Sequence, residues 1–184
     1  MVSRPERPTD LPASPWVLRW LQDCAAGSTL LDFACGRGRH VRAACALGMI
    51  VTAADRDQAA LDGLSDWPVE RIAADLERGA WPFARRRFDV VVCTSYLFRP
   101  RLALLAALVA PGGRLIYETF AVGHERFGRP TNPDYLLRAG ELLALARASG
   151  LAVAGYEHGE RGAPRAALLQ RVCALRSGAA ASIR

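Results

Sequence analysis

Short apolar segments typical of buried strands alternate with helix-like segments along most of the 184-residue chain. Each strand-and-helix unit occupies about 20 to 30 residues, as expected of β-α-β units, and such units build a parallel sheet. The continuous apolar run from Phe88 to Thr94 is typical of a strand buried on both faces. The sequence predicts strands over residues 29–34, 49–55, 71–75, 88–94, 114–120, 151–159 and 167–176.

The last two predicted strands are joined only by the polar connection EHGERGAPRA, with no helix between them. Because such a connection favours a hairpin, this strand pair is expected to be antiparallel. Helices are predicted over residues 16–24, 39–48, 56–64, 100–110 and 138–150, and residues 76–87 are interpreted as a polar connection. The expected fold class is α/β: a doubly wound, mostly parallel seven-stranded sheet with helices on both faces and an antiparallel terminal hairpin strand.

The length of the chain suits one domain, so we expect a single domain over residues 1–184, with residues 1–13 as a loose, proline-rich lead-in. The hydrophobic fraction of 51% is ordinary for a folded domain and argues against disorder. The apolar runs are far shorter than the roughly 20 residues of a membrane span, and the first residues contain no apolar signal segment. A cytoplasmic protein without membrane association is therefore expected.

Cysteine and histidine spacing does not indicate a metal site, because the 5 cysteines lack a CxxC pair and the 3 histidines are far apart. The formal net charge is +6, and all 24 basic residues are arginines, scattered apart from the run Arg85-Arg86-Arg87. A basic chain favours polyanions in general, so a nucleic-acid partner stays an alternative to the favoured small-molecule partner. The expected oligomeric state is a monomer or a homodimer.

A glycine-containing turn, DFACGRG over residues 32–38, links the first predicted strand to the next helix. Gly36 and Gly38 allow a sharp turn and the close approach of a ligand at the carboxyl edge of the sheet. Asp55 ends the second strand 19 residues after Gly36, where a carboxylate can accept hydrogen bonds from both hydroxyls of a ribose. Asp75 ends the third strand and is a candidate acceptor for the amine of an adenine. Helix capping is the alternative role for either aspartate.

The third glycine of a GxGxxG dinucleotide motif is replaced by Val41. A bulky side chain there obstructs the approach of a pyrophosphate to the helix. The turn therefore suits an adenosine ligand without phosphates better than it suits NAD, which disfavours a nicotinamide-dependent oxidoreductase.

Five segments carry a resemblance to a known family: LLDFACGRGRH, VTAAD, IAAD, FDVVVCTSYL and LVAPGGRLIYETF. In order and spacing they resemble the class I, Rossmann-like, S-adenosylmethionine-dependent methyltransferases over about residues 28–175. The stretch YETFAVGHERFGRPTNPDYLLRAGEL also resembles small bacterial methyltransferases of the tellurite-resistance type. The resemblance implies S-adenosyl-L-methionine as the cofactor and in-line displacement of its methyl group from a positively charged sulfur.

The same resemblance implies a set of cofactor-binding residues. The methionine part is expected on Asp32 and the backbone of the turn, the ribose on Asp55, the adenine near Arg56, Asp75 and Leu76, and the sulfonium near Thr94. The implied set is Asp32, Ala34, Gly36, Gly38, Asp55, Arg56, Asp75, Leu76 and Thr94. Ala34 stands where the family usually has glycine, which puts tight packing in doubt more than binding.

Catalytic and substrate-binding candidates follow the fourth and fifth strands. Candidates for a general base, needed only if the acceptor arrives protonated, are Tyr96, Tyr117, Glu118 and His124. Tyr117 and Glu118 alternate along one strand, so only one of them points to a given face. The long polar segment 121–135 is either a solvated loop or a lid that binds an anionic substrate, with candidates Arg126, Arg129, Asn132 and Tyr135.

The function expected from these observations is methyl transfer to a small-molecule acceptor. One alternative is a methyltransferase acting on tRNA or rRNA, which the basic charge favours. The other is a non-catalytic adenosine-binding module, since a fold alone does not determine function.

Overall fold

The computed structural model describes residues 11–162 and 165–178, and within them one seven-stranded sheet has the order β3-β2-β1-β4-β5-β7-β6. Neighbouring strands among β1 to β5 run parallel to each other, whereas β7 pairs antiparallel with both β5 and β6. The strands are β1 (Thr29–Phe33), β2 (Ile50–Asp55), β3 (Val69–Ala73), β4 (Phe88–Thr94), β5 (Val109–Phe120), β6 (Leu151–Arg161) and β7 (Ala167–Arg176). Of the predicted lead-in, residues 1–10 lie outside the described residues.

Five α-helices in the described part of the chain flank the sheet: α1 (Pro15–Leu21), α2 (Arg39–Ala46), α3 (Gln58–Asp62), α4 (Leu102–Ala107) and α5 (Glu141–Ala148). The predicted fold class is confirmed, including the antiparallel terminal hairpin, in which β7 inserts between β5 and β6. The helices are shorter than predicted. None of those in residues 11–162 and 165–178 is long and apolar enough to cross a membrane.

Both faces of the sheet are covered by apolar layers. Successive side chains of a strand point to opposite faces, and Val90 and Val92 of β4 join the apolar cluster that includes α1, α2 and α3. Val91 and Cys93 join the cluster that includes α4 and α5. Burial on both sides explains why β4 is apolar throughout rather than alternating.

The segment 76–87 is a connection without helix or strand, as interpreted, but it is not polar throughout, because Leu76 and Phe83 are core residues. Phe83 is 1% exposed, and its ring centroid lies 5.9 Å from that of Phe33 at the end of β1 and 5.2 Å from that of Trp81. Leu76 is buried in the same cluster. The rings of Trp81 and Phe83 thus pack against Phe33 at the end of β1, where the glycine turn begins.

The predicted helix stop at Pro111-Gly112-Gly113 lies inside β5 instead. The strand begins at Val109, opposite Phe88, and the register with β4 shifts between Phe88 and Val90. At this irregularity Gly113 packs against backbone: an added Cβ would lie 2.7 Å from the Asp89 carbonyl oxygen and 3.0 Å from the Ala110 carbonyl oxygen. The position therefore has no room for a side chain.

Replacement of Gly113 by alanine should lower the free energy of unfolding by about 1–3 kcal/mol, because the methyl group would displace backbone of β4. Gly159→Ala in β6 is the matched control, since a Cβ there would meet nothing within 4 Å. It should be neutral or stabilise the protein by up to roughly 1 kcal/mol. Urea denaturation of both variants measures the difference, and equal stabilities would contradict the crowding described at Gly113.

Candidate functional site

The turn after β1 adopts left-handed backbone conformations at three positions: φ is 58° at Ala34, 52° at Gly36 and 73° at Gly38. At Gly38 an added Cβ would lie 2.6 Å from Cδ2 of Leu64, so the Leu64 side chain would have to move to make room for it. At Gly36 an added Cβ would meet nothing within 4 Å, because that side of the turn is open space. Ala34 accepts a strain of about 1–2 kcal/mol in this conformation, which explains why glycine suits the position better.

Asp55 lies directly beside the turn, as the sequence interpretation requires. Its Oδ2 accepts a hydrogen bond of 2.7 Å from the Gly36 N–H, and its Oδ1 accepts one of 2.9 Å from the Asp57 N–H. The helix cap is Asp57, which accepts from the Ala60 N–H at 3.1 Å. Asp55 is therefore not the N-cap of α3, which removes the alternative role considered for it.

Two cavities meet at this turn and together form one cleft along the carboxyl edge of the sheet. The first has a volume of about 230 Å³ and is lined by Ala34, Asp55, Arg56, Asp75, Leu76, Glu77, Ser95 and Tyr96. The second has a volume of about 350 Å³ and is lined by Leu11, Ala34, Cys35, Gly36, Arg37, Arg39, Arg42, Thr94 and Ser95. Ala34 and Ser95 line both, and both have positive φ, which is 54° at Ser95.

Most of the predicted cofactor residues are brought together in this cleft. Asp32 and Gly38 line neither cavity but lie in or directly beneath the turn. The sequence interpretation missed several lining residues, chief among them Ser95, Arg39 and Arg42. Arg39 and Arg42 stand one helical turn apart at the start of α2, and that spacing after a glycine turn was the available signal.

Asp32 is a buried carboxylate. It is 1% exposed, and no donor of the described residues reaches either of its oxygens with ordinary hydrogen-bond geometry. Burial raises the pKa of Asp32 from its usual 3.8 to about 7, an effect that the positive charge of Arg39 and, more weakly, the Val41 N–H oppose. A buried acceptor with so little compensation costs free energy.

Asp75 lies two residues beyond the end of β3 and shapes a turn. Its Oδ1 accepts hydrogen bonds from the Glu77 N–H at 2.9 Å and the Arg78 N–H at 3.2 Å. These backbone donors lower the pKa of Asp75, the Glu77 N–H contributing most. The carboxylate therefore stays ionised at the mouth of the first cavity, while the side chain of Leu76 is buried behind it.

Tyr96 lines the first cavity with its ring packed edge-on against Phe33, at a centroid distance of 5.5 Å. Its hydroxyl is buried and has no hydrogen-bond partner among the described residues. Burial raises the pKa of Tyr96 above its ordinary value, with the charge of Glu77 adding to the effect. A phenol that holds its proton so firmly is a donor rather than a base.

Tyr117 was a wrong candidate for catalysis. It is completely buried in the core, and its hydroxyl donates a 2.7 Å hydrogen bond to the Tyr96 carbonyl. The side chain therefore cannot contact a ligand in the cleft. Glu118 points to the opposite face, as the strand alternation predicts, and its Oε2 accepts a 2.9 Å hydrogen bond from Ser14 Oγ.

His124 was also a wrong candidate, because both of its ring nitrogens are used within the fold. Nδ1 accepts from the Leu168 N–H at 3.3 Å, so Nε2 carries the hydrogen and donates to the Arg129 carbonyl at 3.1 Å. The ring is 4% exposed and stacks on Phe120 at 4.2 Å. His124 holds the loop after β5 against β7 and lines neither cavity of the cleft.

The predicted lid residues are not brought to the cleft. Arg126 forms an ion pair with Glu160 of β6, and Arg129 and Tyr135 are exposed. None of the three lines either cavity. The structure therefore gives the loop arginines no role in holding a substrate in this conformation.

The N-terminal side of the second cavity is anchored by buried polar contacts. The Ser14 N–H donates to His40 Nε2 at 3.1 Å, while the Ser14 hydroxyl donates to Glu118 as described above. Burial lowers the pKa of His40 to about 3, so its ring stays neutral and Nε2 can accept. These contacts fix the chain that precedes α1, in which Leu11 lines the second cavity.

Residues 30–113 match a protein-family profile described as a methyltransferase domain. The match extends from β1 into β5 and includes the glycine turn, Asp55 and Asp75. No curated protein sequence matches the chain significantly.

Solved methyltransferase structures share the fold. TehB from Haemophilus influenzae superposes with a TM-score of 0.71 at 15% identity, covering 88% of this chain and 61% of TehB. Magnesium protoporphyrin IX methyltransferase (ChlM) from Synechocystis PCC 6803, with bound SAH, gives a TM-score of 0.66 at 19% identity, covering 88% of this chain and 80% of ChlM. A TehB-like SAM-dependent methyltransferase from Corynebacterium glutamicum gives 0.65 at 19% identity, covering 91% and 89%.

The chain spans less than two thirds of the length of the H. influenzae TehB chain. At these sequence identities the structural similarity establishes the fold, while the family profile identifies the segment that carries the cleft. The resemblance noted in the sequence is thereby confirmed. Residues 30–113 thus match a methyltransferase domain, and the described residues have the fold of S-adenosylmethionine-dependent methyltransferases.

Proposed function

We propose that the protein transfers a methyl group to a small-molecule acceptor, and that the cleft beside Asp55 binds the cofactor for this reaction. The observation that carries the proposal is the contact between Asp55 and the Gly36 N–H, which places an acidic ribose acceptor beside an open glycine turn. S-adenosylmethionine supplies an electrophilic methyl group on a positively charged sulfur. The similarity in fold to TehB and a TehB-like methyltransferase supports placing the chain in that subgroup.

The residues of the cleft fit this cofactor. In the first cavity the carboxylates of Asp55 and Asp75 are available to ribose hydroxyls and to an adenine amine, respectively. In the second, the open side of Gly36 leaves room for a ligand where a side chain would otherwise project. The buried carboxylate of Asp32 suits the ammonium of the methionine part. The oxygens of Asp55 and Asp75 that already accept backbone N–H groups each have a second lone pair for a ligand.

Positioning is the main contribution that these residues can make to the reaction rate. Holding two reacting groups in alignment lowers a barrier by up to about 7–11 kcal/mol in favourable cases. Ser95, which lines both cavities, and Thr94, which lines the second, are the residues best placed to orient an acceptor. Tyr96 holds its proton and Tyr117 is buried, so we propose an acceptor that is nucleophilic without a side-chain base.

Two observations favour a small acceptor over RNA: the size of the cleft, and the contacts that the run Arg85-Arg86-Arg87 makes within the fold. Arg86 forms an ion pair of 2.7 Å with Glu70, and Arg87 donates to the Arg86 carbonyl at 2.8 Å. These contacts leave less of the run available for a phosphate backbone. The net charge of +6 remains the observation in favour of RNA, so RNA is included in the test.

The proposal is tested with purified full-length protein and S-adenosylmethionine labelled on its methyl group. One reaction contains a small-molecule extract and the other contains total tRNA and rRNA. Label in the small-molecule fraction supports the proposal, whereas label only in RNA replaces it by the RNA alternative. Cofactor binding without transfer to either fraction would support a non-catalytic module. The absence of binding heat at millimolar cofactor would contradict the proposed site.

The Asp55→Asn variant should bind S-adenosylhomocysteine about tenfold to a hundredfold more weakly than the wild type. Hydrogen bonds to a charged acceptor contribute about 1.5–3 kcal/mol, and 1.4 kcal/mol corresponds to a factor of ten. The asparagine oxygen can still accept from the Gly36 N–H, while the bond from the Asp57 N–H is lost because the amide nitrogen then faces it. Isothermal titration calorimetry measures the affinity. Asp62→Asn, an exposed carboxylate on α3, is the control and should bind normally.

The Asp32→Asn variant should become more stable than the ligand-free wild type as the pH rises. The folded carboxyl keeps its proton up to a pKa of about 7, whereas the unfolded one loses it near 3.8. As far as it depends on Asp32, the free energy of unfolding of the wild type is therefore highest below about pH 4 and declines until about pH 7. The gap between the two proteins should grow by up to about 4 kcal/mol over this range.

Denaturant unfolding at pH 4, 5.5, 7 and 8 measures this gap for Asp32→Asn. The exposed Asp66→Asn variant serves as the control and should follow the wild type at every pH. A pH-independent difference between Asp32→Asn and the wild type would show that the Asp32 carboxyl does not bear the cost of burial described for it.

A further inference from the structure

Strand β6 lies at the edge of the sheet, and among the described residues β7 is its only neighbouring strand. The register with β7 shifts between Val153 and Gly155, so the regular part of this edge is residues 155–161. Within it His158, Gly159 and Glu160 are exposed. An edge of this kind presents backbone N–H and C=O groups that can pair with another chain.

The hydrogen bonds of β7 show which residues of β6 direct their backbone outward. The Ala121 N–H donates to the Leu168 carbonyl at 3.0 Å, and the Leu168 N–H donates to His124 Nδ1 at 3.3 Å. The backbone of Leu168 therefore faces the end of β5 and turns away from β6. Directly opposed residues of an antiparallel pair exchange both hydrogen bonds or neither. Glu160, which opposes Leu168, therefore directs its N–H and C=O to the open side, and so does His158 two residues earlier.

The charge order along this edge is complementary to itself. Residues 157–161 read Glu-His-Gly-Glu-Arg. Two copies that pair antiparallel about a twofold axis at Gly159 bring Glu157 of each copy opposite Arg161 of the other. The same register brings His158 opposite Glu160, and these outward-facing residues then exchange backbone hydrogen bonds. Each acid thus opposes an arginine or an imidazole that can donate to it.

Neighbouring registers lack this complementarity. An axis at His158 places Glu157 opposite Gly159, which offers no charge. An axis at Glu157 or at Glu160 places two carboxylates directly opposite each other. Like charges in that arrangement destabilise a sheet. The register centred on Gly159 is therefore the one that the charges favour.

This end of β6 lies beside the second cavity. Arg161 Nε donates to the Arg165 carbonyl at 3.1 Å. Burial lowers the pKa of Arg39, which lines the cavity, and the charges of Arg161 and Arg165 add to this effect. The two arginines are thus within range of electrostatic interaction with the cavity. A partner carboxylate opposite Arg161 would offset part of their positive charge.

We propose that the protein forms a homodimer through the edge of β6, with residues 155–161 of two copies paired antiparallel about a twofold axis at Gly159. A second copy is the partner because the segment supplies the charges that complement its own. Pairing joins the two seven-stranded sheets into one continuous sheet. The inference concerns assembly and does not depend on the proposed function.

Analytical ultracentrifugation of the full-length protein without cofactor measures this association over roughly 1 µM to 1 mM, a range in which weak dimers dissociate. The wild type should sediment as a dimer at the upper end of the range. Glu157→Arg and Arg161→Glu each place like charges opposite one another on both sides of the axis. Each variant should weaken the dimer about tenfold or more.

An equal mixture of the two charge-reversal variants should restore association, because every reversed residue then opposes the opposite charge in its partner. Glu157→Arg also removes an ion pair of 3.2 Å with Arg171 inside the chain, so recovery in the mixture shows that this variant is folded. Asp66→Arg is the matched control. It changes the net charge as Glu157→Arg does, at an exposed position near the opposite edge of the sheet, and should dimerise like the wild type.

Gly159→Cys reports the register. A Cβ at this position meets nothing within 4 Å, and opposed residues that exchange no hydrogen bonds have Cα atoms about 4.5 Å apart, within reach of a disulfide. With glutathione disulfide as the oxidant, the two thiols of a dimer should form one disulfide and release two molecules of reduced glutathione. Val153→Cys, also exposed on β6, should not cross-link, because its two copies lie far apart in this register.

A wild type that stays monomeric at every concentration would overturn the inference, as would charge reversals that leave the association unchanged. Variants whose mixture stays monomeric would indicate structural damage and would also overturn it. So would a dimer in which Gly159→Cys cross-links no faster than Val153→Cys. None of these results bears on the proposed function, which cofactor binding and methyl transfer test separately.

Discussion

The hydrogen bond between the Gly36 N–H and Asp55 Oδ2 is the contact on which the site depends, because it joins the turn after β1 to the end of β2. One residue earlier, the Cys35 N–H donates to the Ala54 carbonyl at 3.0 Å, so the turn continues the pairing of the two strands. Asp55 lines the first cavity and Gly36 lines the second. A single short contact thus fixes the two halves of the cleft relative to each other.

The sequence predicts those parts of the site that depend on local pattern. The glycine turn and the acid that ends the next strand are coupled by strand spacing, so their proximity follows once the sheet is parallel. Tyr117 and His124 were misjudged because a polar side chain that satisfies its hydrogen bonds inside the fold looks, in sequence, like one that faces a ligand. Arg39 was missed because the sequence does not show that its side chain lines the second cavity near the buried Asp32.

Strain and unsatisfied charge are concentrated where the two cavities meet. Ala34 and Ser95 both hold left-handed backbone, and the carboxylate of Asp32 is buried just behind them. Costs of this kind persist only where the surrounding structure enforces them. Here the enforcement comes from the apolar layers on both faces of the sheet and from the aromatic rings of Phe33, Trp81 and Phe83. The favourable packing of these layers and rings offsets the free-energy cost of the strained backbone and the buried carboxylate.

The anchor at Ser14 has a consequence for the order in which the molecule is completed. Its hydroxyl bonds to Glu118, a partner 104 residues further along the chain. During synthesis the segment carrying Leu11 can therefore bond to His40 early, whereas its contact with Glu118 has to wait until β5 has been translated. Because domains fold as their contacts become available, this side of the cleft is completed late.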